Sequence, residues 1–299
     1  MVARVSDGRA LPTKAVLMVN AHSRRGRRLY RDACRKLGAA GIALLDRHAI
    51  RNPKELPERV RAAVGAGAPM VIVGGGDGSL SSAVDELVGT DVVFALLPLG
   101  TANSFARAMN IPLDLDGAID VLRTGERRRI DLGVIDGDYY ANNAVIGLAT
   151  QIAETIPSGI KRSLGRVGYG AWAALRLARF SPFTLRVNGE EMVATEVRIS
   201  NGGYHGGLEL IESADVQSGD IVVQAVTGSG RRHLLWNYLA STLRLSQRRA
   251  TVREFRGTSL RIECDPPQSI SIDGEVLART PVTASVARGV IEVAAPKTR

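Results

Sequence analysis

Residues 68–79, APMVIVGGGDGS, join an unbroken apolar run to a turn in which four of five positions are glycine. An apolar run without polar alternation reads as a strand buried on both faces, as in a parallel sheet covered by helices. The same alternation extends outward on both sides. KAVLMVN (14–20) reads as a buried strand and RLYRDACRKLGAAG (28–41) as an amphipathic helix with a glycine stop. IALLDRH (42–48) is a strand, PKELPERVRAAVGAG (53–67) a helix, and SLSSAVDELVG (79–89) the helix after the glycine turn. VVFALLPLG (92–100) then runs into TANSFARAMN (101–110). The first half is an open α/β fold with a mostly parallel sheet.

From about residue 130 the period shortens. Asp136-Gly137, Asn188-Gly189 and Asp273-Gly274 each separate β-rich stretches, the pattern of two-residue hairpin loops. FTLRVNGEEMVATEVRIS (183–200) and QSISIDGEVL (268–277) alternate as half-buried antiparallel strands do, and IVVQAV (221–226) and SLRIEC (259–264) add two more. Helical candidates interrupt them at 161–180 and 231–247. The change of period divides the chain into 1–135, α/β, and 136–283, β-rich, with 284–299 a candidate to return to the first domain.

Composition narrows the class. The 299 residues are 45% hydrophobic and 23% charged, which excludes a disordered, collagenous or coiled-coil chain. No apolar run approaches the ~18 residues of a membrane-spanning helix, and residues 1–16 lack the apolar core of a signal peptide. Cys34 and Cys264 lie far apart without metal spacing and read as thiols in a reducing, cytoplasmic compartment. Lys and Arg outnumber Asp and Glu by 39 to 30, a net +9. That balance favours a polyanionic partner (nucleic acid, nucleotide phosphate or an anionic membrane face) without choosing among them.

The chemistry gathers at three strand-to-helix turns. In Gly74-Gly75-Gly76-Asp77-Gly78-Ser79 the glycines let a ligand approach the backbone, and the amides at the helix start suit phosphate. The plainer reading is a glycine turn capped by Asp77 or Ser79. Pro98-Leu99-Gly100-Thr101-Ala102-Asn103 repeats the arrangement, as a second crevice wall or as a capping motif. Asn20-Ala21-His22-Ser23-Arg24-Arg25 ends the first strand, either touching phosphates or forming a solvated basic loop.

These residues, in this order and over nearly the whole chain, resemble the diacylglycerol kinase catalytic-domain family, which includes bacterial lipid kinases and sphingosine and ceramide kinases. The family's GGDGT appears as Gly75 to Ser79, and its P-x-G-T-x-N-D-F-A-R as Pro98 to Arg107. RRRIDLG, containing Asp131, is similar to R-x-I-D-x-G; Asn142-Asn143-Ala144 resembles the opening of the second domain. SNGGYHGGLELIESADVQSGDI (200–221) looks like N-x-x-x-x-G-G-G with its downstream A-x-x-x-D-G, and SIDGEVL like the terminal D-G-E.

The resemblance implies a nucleotide-binding first domain, an antiparallel β-sandwich-like second domain that receives lipid, and ATP with Mg²⁺ in the cleft between them. ATP and its metal would be held by Asn20, Ser23, Arg24, Arg25, Gly75, Gly76, Asp77, Gly78, Ser79, Gly100, Thr101 and Asn103. Glu275, with Asp273 second, would take the proton of the acceptor hydroxyl, beside Asp77. Asp131, Asp215, Ser218 and Asp220 form a second candidate cation set, in which Ser218 stands where the family has Asp. Other departures are Ser79 for Thr, Ser81 and Ser82 for Asn and Glu, Ser104 for Asp, Ala21 for Pro and Arg25 for Lys.

A lipid acceptor requires access to a membrane surface. Lys161, Arg162, Arg166, Arg176 and Arg179 interleave with Trp172 and Phe180, and a similar mixture surrounds Trp236. Both stretches suit an anionic headgroup layer or a helix packed on the sheet. The expectation is a cytoplasmic lipid kinase bound peripherally to the inner membrane face, with a homodimer left open and no nucleic-acid partner. The competing readings are a soluble-acceptor kinase of NAD-kinase type and a non-catalytic nucleotide- or nucleic-acid-binding protein.

Overall fold

The computed structural model describes residues 10–22, 24–155, 180–209, 211–228 and 252–297. Ser23 and the helical candidates at 161–180 and 231–247 lie outside the described residues, apart from Phe180. Among the described residues no helix is long and apolar enough to cross a membrane.

Four parallel strands build the first domain: Lys14–Asn20 (β1), Ala43–Ile50 (β2), Met70–Gly75 (β3) and Val93–Pro98 (β4), in the order β2-β1-β3-β4. The apolar stretches of β1, β3 and β4 are buried throughout, as strands covered on both faces must be. β2 is the edge and mostly solvated, and its Asp46, Arg47 and His48 discourage a further strand from pairing there. The helices are Arg24–Ala39 (α1), Leu56–Gly65 (α2, after a 3₁₀ turn at Pro53–Glu55), Asp77–Val84 (α3), Ser104–Ala108 (α4) and Leu115–Thr124 (α5). α5 was not among the expected helices, although its signals are local. Asp114 caps it by accepting from the Gly117 amide at 2.8 Å, and Ala118, Ile119, Val121 and Leu122 form its buried face.

The remaining strands are Glu126–Ile135 (β5), Asp138–Tyr140 (β6), Asn143–Gly147 (β7), Phe183–Val187 (β8), Glu190–Ser200 (β9), Tyr204–His205 (β10), Leu208–Glu209 (β11), Ile221–Thr227 (β12), Val252–Gly257 (β13), Ser259–Asp265 (β14), Ser269–Ile272 (β15), Glu275–Arg279 (β16) and Val282–Ala295 (β17), with helix Leu148–Thr155 (α6) after β7. Apart from the parallel β17–β4 contact, their pairings are antiparallel. The three expected hairpin dipeptides turn β5 into β6, β8 into β9 and β15 into β16. In each, both residues have positive φ, from 45° at Asp273 to 98° at Gly274, as the favoured two-residue turn requires.

Two long strands tie the halves together. β17 pairs with β14 at its start, runs parallel to β4 at Glu292 and Val293, and lies antiparallel to β5 for most of its length. The basic run of β5 is consumed by ion pairs rather than offered to a polyanion. Arg127 and Arg129 reach the buried Glu292 at 3.3 and 3.0 Å, and Arg128 reaches Glu126 at 2.9 Å. One apolar core, with Phe94 edge-on to Phe105, fills the first domain; a second, containing Tyr140, Phe183, Val197 and Ile262, fills the other. Phe180 belongs to this second core and is 2% exposed, so it is not part of a membrane-facing aromatic surface. Cys34 and Cys264 are free thiols.

Candidate active site

The glycine turn and the Pro98 turn meet backbone to backbone. A Cβ at Gly100 would stand 2.5 Å from the Gly76 Cα, so only glycine lets the ends of β3 and β4 carry turns this close. Asp77 ties them from the other side: its Oδ1 accepts from the Phe105 amide at 3.2 Å, at the start of α4. Gly75 is needed for a different reason, because Ser79 lies over it and would be 2.2 Å from an added Cβ. Nothing stands within 4 Å of the same position at Gly78. There α3 begins without a side-chain cap: the Ser79 and Leu80 amides close onto the Gly76 carbonyl, which leaves those of Asp77 and Gly78 for a ligand.

That open space belongs to a cavity of about 340 Å³ lined by Asn20, Gly76, Gly78, Ser79, Ser82 and Glu275, among others. Uncapped amides at a helix start, without a Cβ above them, fit an anionic phosphate chain. Arg24 and Arg25 open α1 at the adjoining end of β1, where Gly26 packs against the Asn20 carbonyl. Two expected ligands lie elsewhere. Asn103 is 4% exposed and spends both ends on Gly100, accepting from its amide at 3.0 Å and donating to its carbonyl at 3.1 Å. Both ends of its amide thus hold the turn together. Thr101 is exposed at the rim and lines neither this cavity nor the next.

A second cavity, about 310 Å³, opens beside the first and is lined from both domains. Asp77 and Ser104 come from the first; Asn142, Asn143, Thr150, His205, Ser271 and Asp273 come from the second. The Asp273 carboxyl accepts from the Asn143 amide at 3.3 Å and the Ala141 amide at 3.4 Å. Burial pushes it up, those amides pull it down and the charge of Asp77 pushes it up, for a net rise to about 7. Glu275, two residues on, faces the other cavity, so the hairpin divides its carboxylates between the two spaces. The loop carrying His205 is held to the first domain where the Gly207 amide donates to Ser104 Oγ at 3.1 Å. Nothing in the sequence singles out His205 beyond its place inside the glycine-rich stretch 200–221.

A cation with the nucleotide fits these residues. Mg²⁺ takes one or two carboxylates and completes its shell with phosphate oxygens and water, and Asp77 with Glu275 or Asp273 can supply that share. The second candidate set does not fit. Asp131 accepts from the Gly219 amide through Oδ2 at 2.7 Å and from the Gly289 amide through Oδ1 at 2.8 Å. Asp220 pairs with Arg256 at 2.9 Å and accepts from Ser218 Oγ at 2.5 Å; Asp215 accepts from the Gln217 amide at 3.0 Å. Arg288 donates to the Gly219 carbonyl at 2.9 Å. Two guanidinium groups thus stand where a bound cation would neutralise this loop, and Asp131 clamps the irregular stretch of β17 around Gly289.

Comparison with known proteins agrees with this architecture. Residues 14–135 match the diacylglycerol kinase catalytic domain, and residues 143–295 match the YegS C-terminal NAD kinase beta sandwich-like domain. The "Probable lipid kinase YegS" of Salmonella dublin is 31% identical, over 71% of this chain and 73% of its own. The "Lipid kinase YegS" of Escherichia coli (strain K12) is 29% identical, over 71% and 73%. A crystal structure of a diacylglycerol kinase from Bacillus anthracis str. Sterne shares the fold, with a TM-score of 0.72 at 19% identity, covering 95% of this chain and 97% of that one. An open α/β domain beside an antiparallel β-sandwich-like domain is the frame these matches describe. The chain belongs to the diacylglycerol kinase catalytic-domain family, in its YegS-like two-domain form, and is a lipid kinase at the level that membership defines.

Proposed function

We propose that the protein transfers the γ-phosphate of ATP to a hydroxyl of a lipid alcohol presented at a membrane surface, in the second cavity. The observation that carries this reading is the pair of adjoining cavities, one lined by bare helix-start amides and the other by Asp77 and Asp273 from different domains. The phosphate chain lies against Gly76, Gly78 and Ser79, with Asn20 at its side. The acceptor hydroxyl enters beside Asp273. Its oxygen forms the new bond to the γ-phosphorus, the bond from that phosphorus to the bridging oxygen breaks, and ADP leaves. The hydroxyl proton passes to Asp273, whose carboxyl is poised near neutrality, as a proton acceptor should be. Glu275, in the nucleotide cavity, and Asp77, in the acceptor cavity, are the residues that would hold the nucleotide's Mg²⁺. When bound, that ion supplies charge neutralisation on the phosphate oxygens.

The assignment of the proton acceptor to Asp273, ahead of Glu275, rests on which cavity each carboxylate faces. The test is transfer of labelled γ-phosphate from ATP·Mg²⁺ to lipids in mixed micelles, with NAD as a soluble acceptor. Label in a lipid, abolished by Asp77→Ala, supports the reading. Label in NAD alone would replace it with a soluble-acceptor kinase, and ATP binding without transfer would leave a nucleotide-binding protein.

A further inference from the structure

The second cavity carries an acceptor that the phosphoryl transfer does not use. Asn143 Nδ2 donates to the Tyr204 carbonyl at 3.0 Å, which turns Oδ1 of the same amide toward His205 Nδ1, 2.6 Å away. An amide oxygen only accepts, so the proton of that short contact sits on Nδ1. In the neutral ring Nε2 is therefore an acceptor, and it has no hydrogen-bond partner among the described residues. Burial and the nearby Arg198 both hold the ring toward its neutral form, against the weaker pull of Glu196 and Asp77.

No donor of the cavity reaches this nitrogen among the described residues. Asp77 and Asp273 are carboxylates, the Thr150 hydroxyl donates to the Val145 carbonyl at 2.6 Å, and the hydroxyls of Ser104 and Ser271 and the amide of Asn142, which also line the cavity, make no hydrogen bond to it. In a cleft open to solvent, water can satisfy Nε2. A lipid head that enters displaces that water and must replace its hydrogen bond or leave a half-buried acceptor unpaired. The reacting hydroxyl has one proton, and it is directed to Asp273.

We infer that the acceptor lipid carries a second hydrogen-bond donor beside the hydroxyl that is phosphorylated, and that His205 Nε2 receives it. This inference rests on the proposed lipid-kinase reading. It selects heads with a neighbouring free hydroxyl or amide N–H over a glycerol esterified at both remaining positions. His205 is thus a specificity residue.

The test compares 1-monoacylglycerol with the sn-1,2-diacylglycerol of the same acyl chain at equal surface concentration in mixed micelles. The wild-type enzyme is expected to favour the monoacyl lipid by about tenfold or more in kcat/KM, the size of one unpaired buried acceptor. In His205→Phe the ratio should collapse toward one; in His205→Gln, which restores a carbonyl acceptor, most of it should return. Equal use of the two lipids by the wild-type enzyme, a preference for diacylglycerol, or an unchanged ratio in His205→Phe would overturn the inference and leave the lipid-kinase reading standing. Failure to phosphorylate any lipid despite ATP binding would overturn both. The wild-type ratio decides the question even where a variant does not fold.

Discussion

Asp77 and Asp273 face one cavity from different domains, and the charge of the first helps hold the second protonated until near neutral pH. The relationship exists because two turns meet there: a glycine turn that frees the end of β3, and a two-residue hairpin that places a carboxylate at the end of β15. Together they bring the two carboxylates into one cavity, beside the uncapped start of α3.

The first consequence is a pH profile. Asp273 works as a base only when ionised, so kcat should rise with pH through about 7 and level off above it. Asp273→Asn should lose this limb along with most of its rate. A pH–rate profile without a limb near neutrality would exclude Asp273 as the titrating base.

The same shift acts on stability with the opposite sign. The carboxyl is raised from an ordinary 3.8 to about 7 in the folded protein, so the stability it contributes at low pH is lost as pH climbs through that window. Asp273→Asn should therefore raise the melting temperature at pH 8, with a benefit that grows between about pH 4 and 7. Thermal melts of both proteins at pH 5 and pH 8 check this, and a variant less stable than wild type at pH 8 would contradict it.

Asp131 separates a metal-held loop from a protein-held one. Its two oxygens accept from Gly219 and Gly289, so Asp131→Asn sets an amide N–H₂ against a backbone N–H and should cost about 1–3 kcal/mol. Chelation of divalent ions should leave the wild-type melting temperature unchanged. A fall of several degrees with chelator would show that a cation does hold this loop.

Two glycine substitutions should behave oppositely. Gly100→Ala drives a Cβ into the Gly76 backbone and should destabilise the first domain and abolish nucleotide binding. Gly78→Ala meets no protein atom within 4 Å, so the fold should survive, while the methyl group should weaken ATP binding if phosphate occupies that space as proposed. ATP titrations and melts of the two variants distinguish these outcomes.

How much of this was legible beforehand depended on how local each determinant is. β1, β3 and β4 announced themselves because strands buried on both faces must be apolar throughout. The hairpins were legible because both loop residues need positive φ, which Asp-Gly and Asn-Gly satisfy at little cost. α5 was overlooked despite a capping Asp114 and a buried stripe. Which cavity Asp273 and Glu275 each line is not readable from sequence, because it depends on which way a hairpin faces between two domains. The same holds for Asn103: an Asn at a helix start can brace its own turn or reach out, and its bonds to Gly100 become visible only in the folded turn. His205 acquires meaning through Asn143, some sixty residues earlier.

The most direct test is steady-state transfer of γ-phosphate from ATP·Mg²⁺ to a lipid acceptor by the wild-type enzyme, Asp273→Asn and Glu275→Gln at pH 8. The opposed-carboxylate account predicts that Asp273→Asn lowers kcat by about 10²-fold or more with little change in the KM for ATP. Glu275→Gln should act chiefly on the KM for ATP·Mg²⁺. An Asp273→Asn enzyme that keeps the wild-type kcat, beside a Glu275→Gln enzyme that loses it, would contradict the account and move the proton acceptor to the nucleotide side of the cleft.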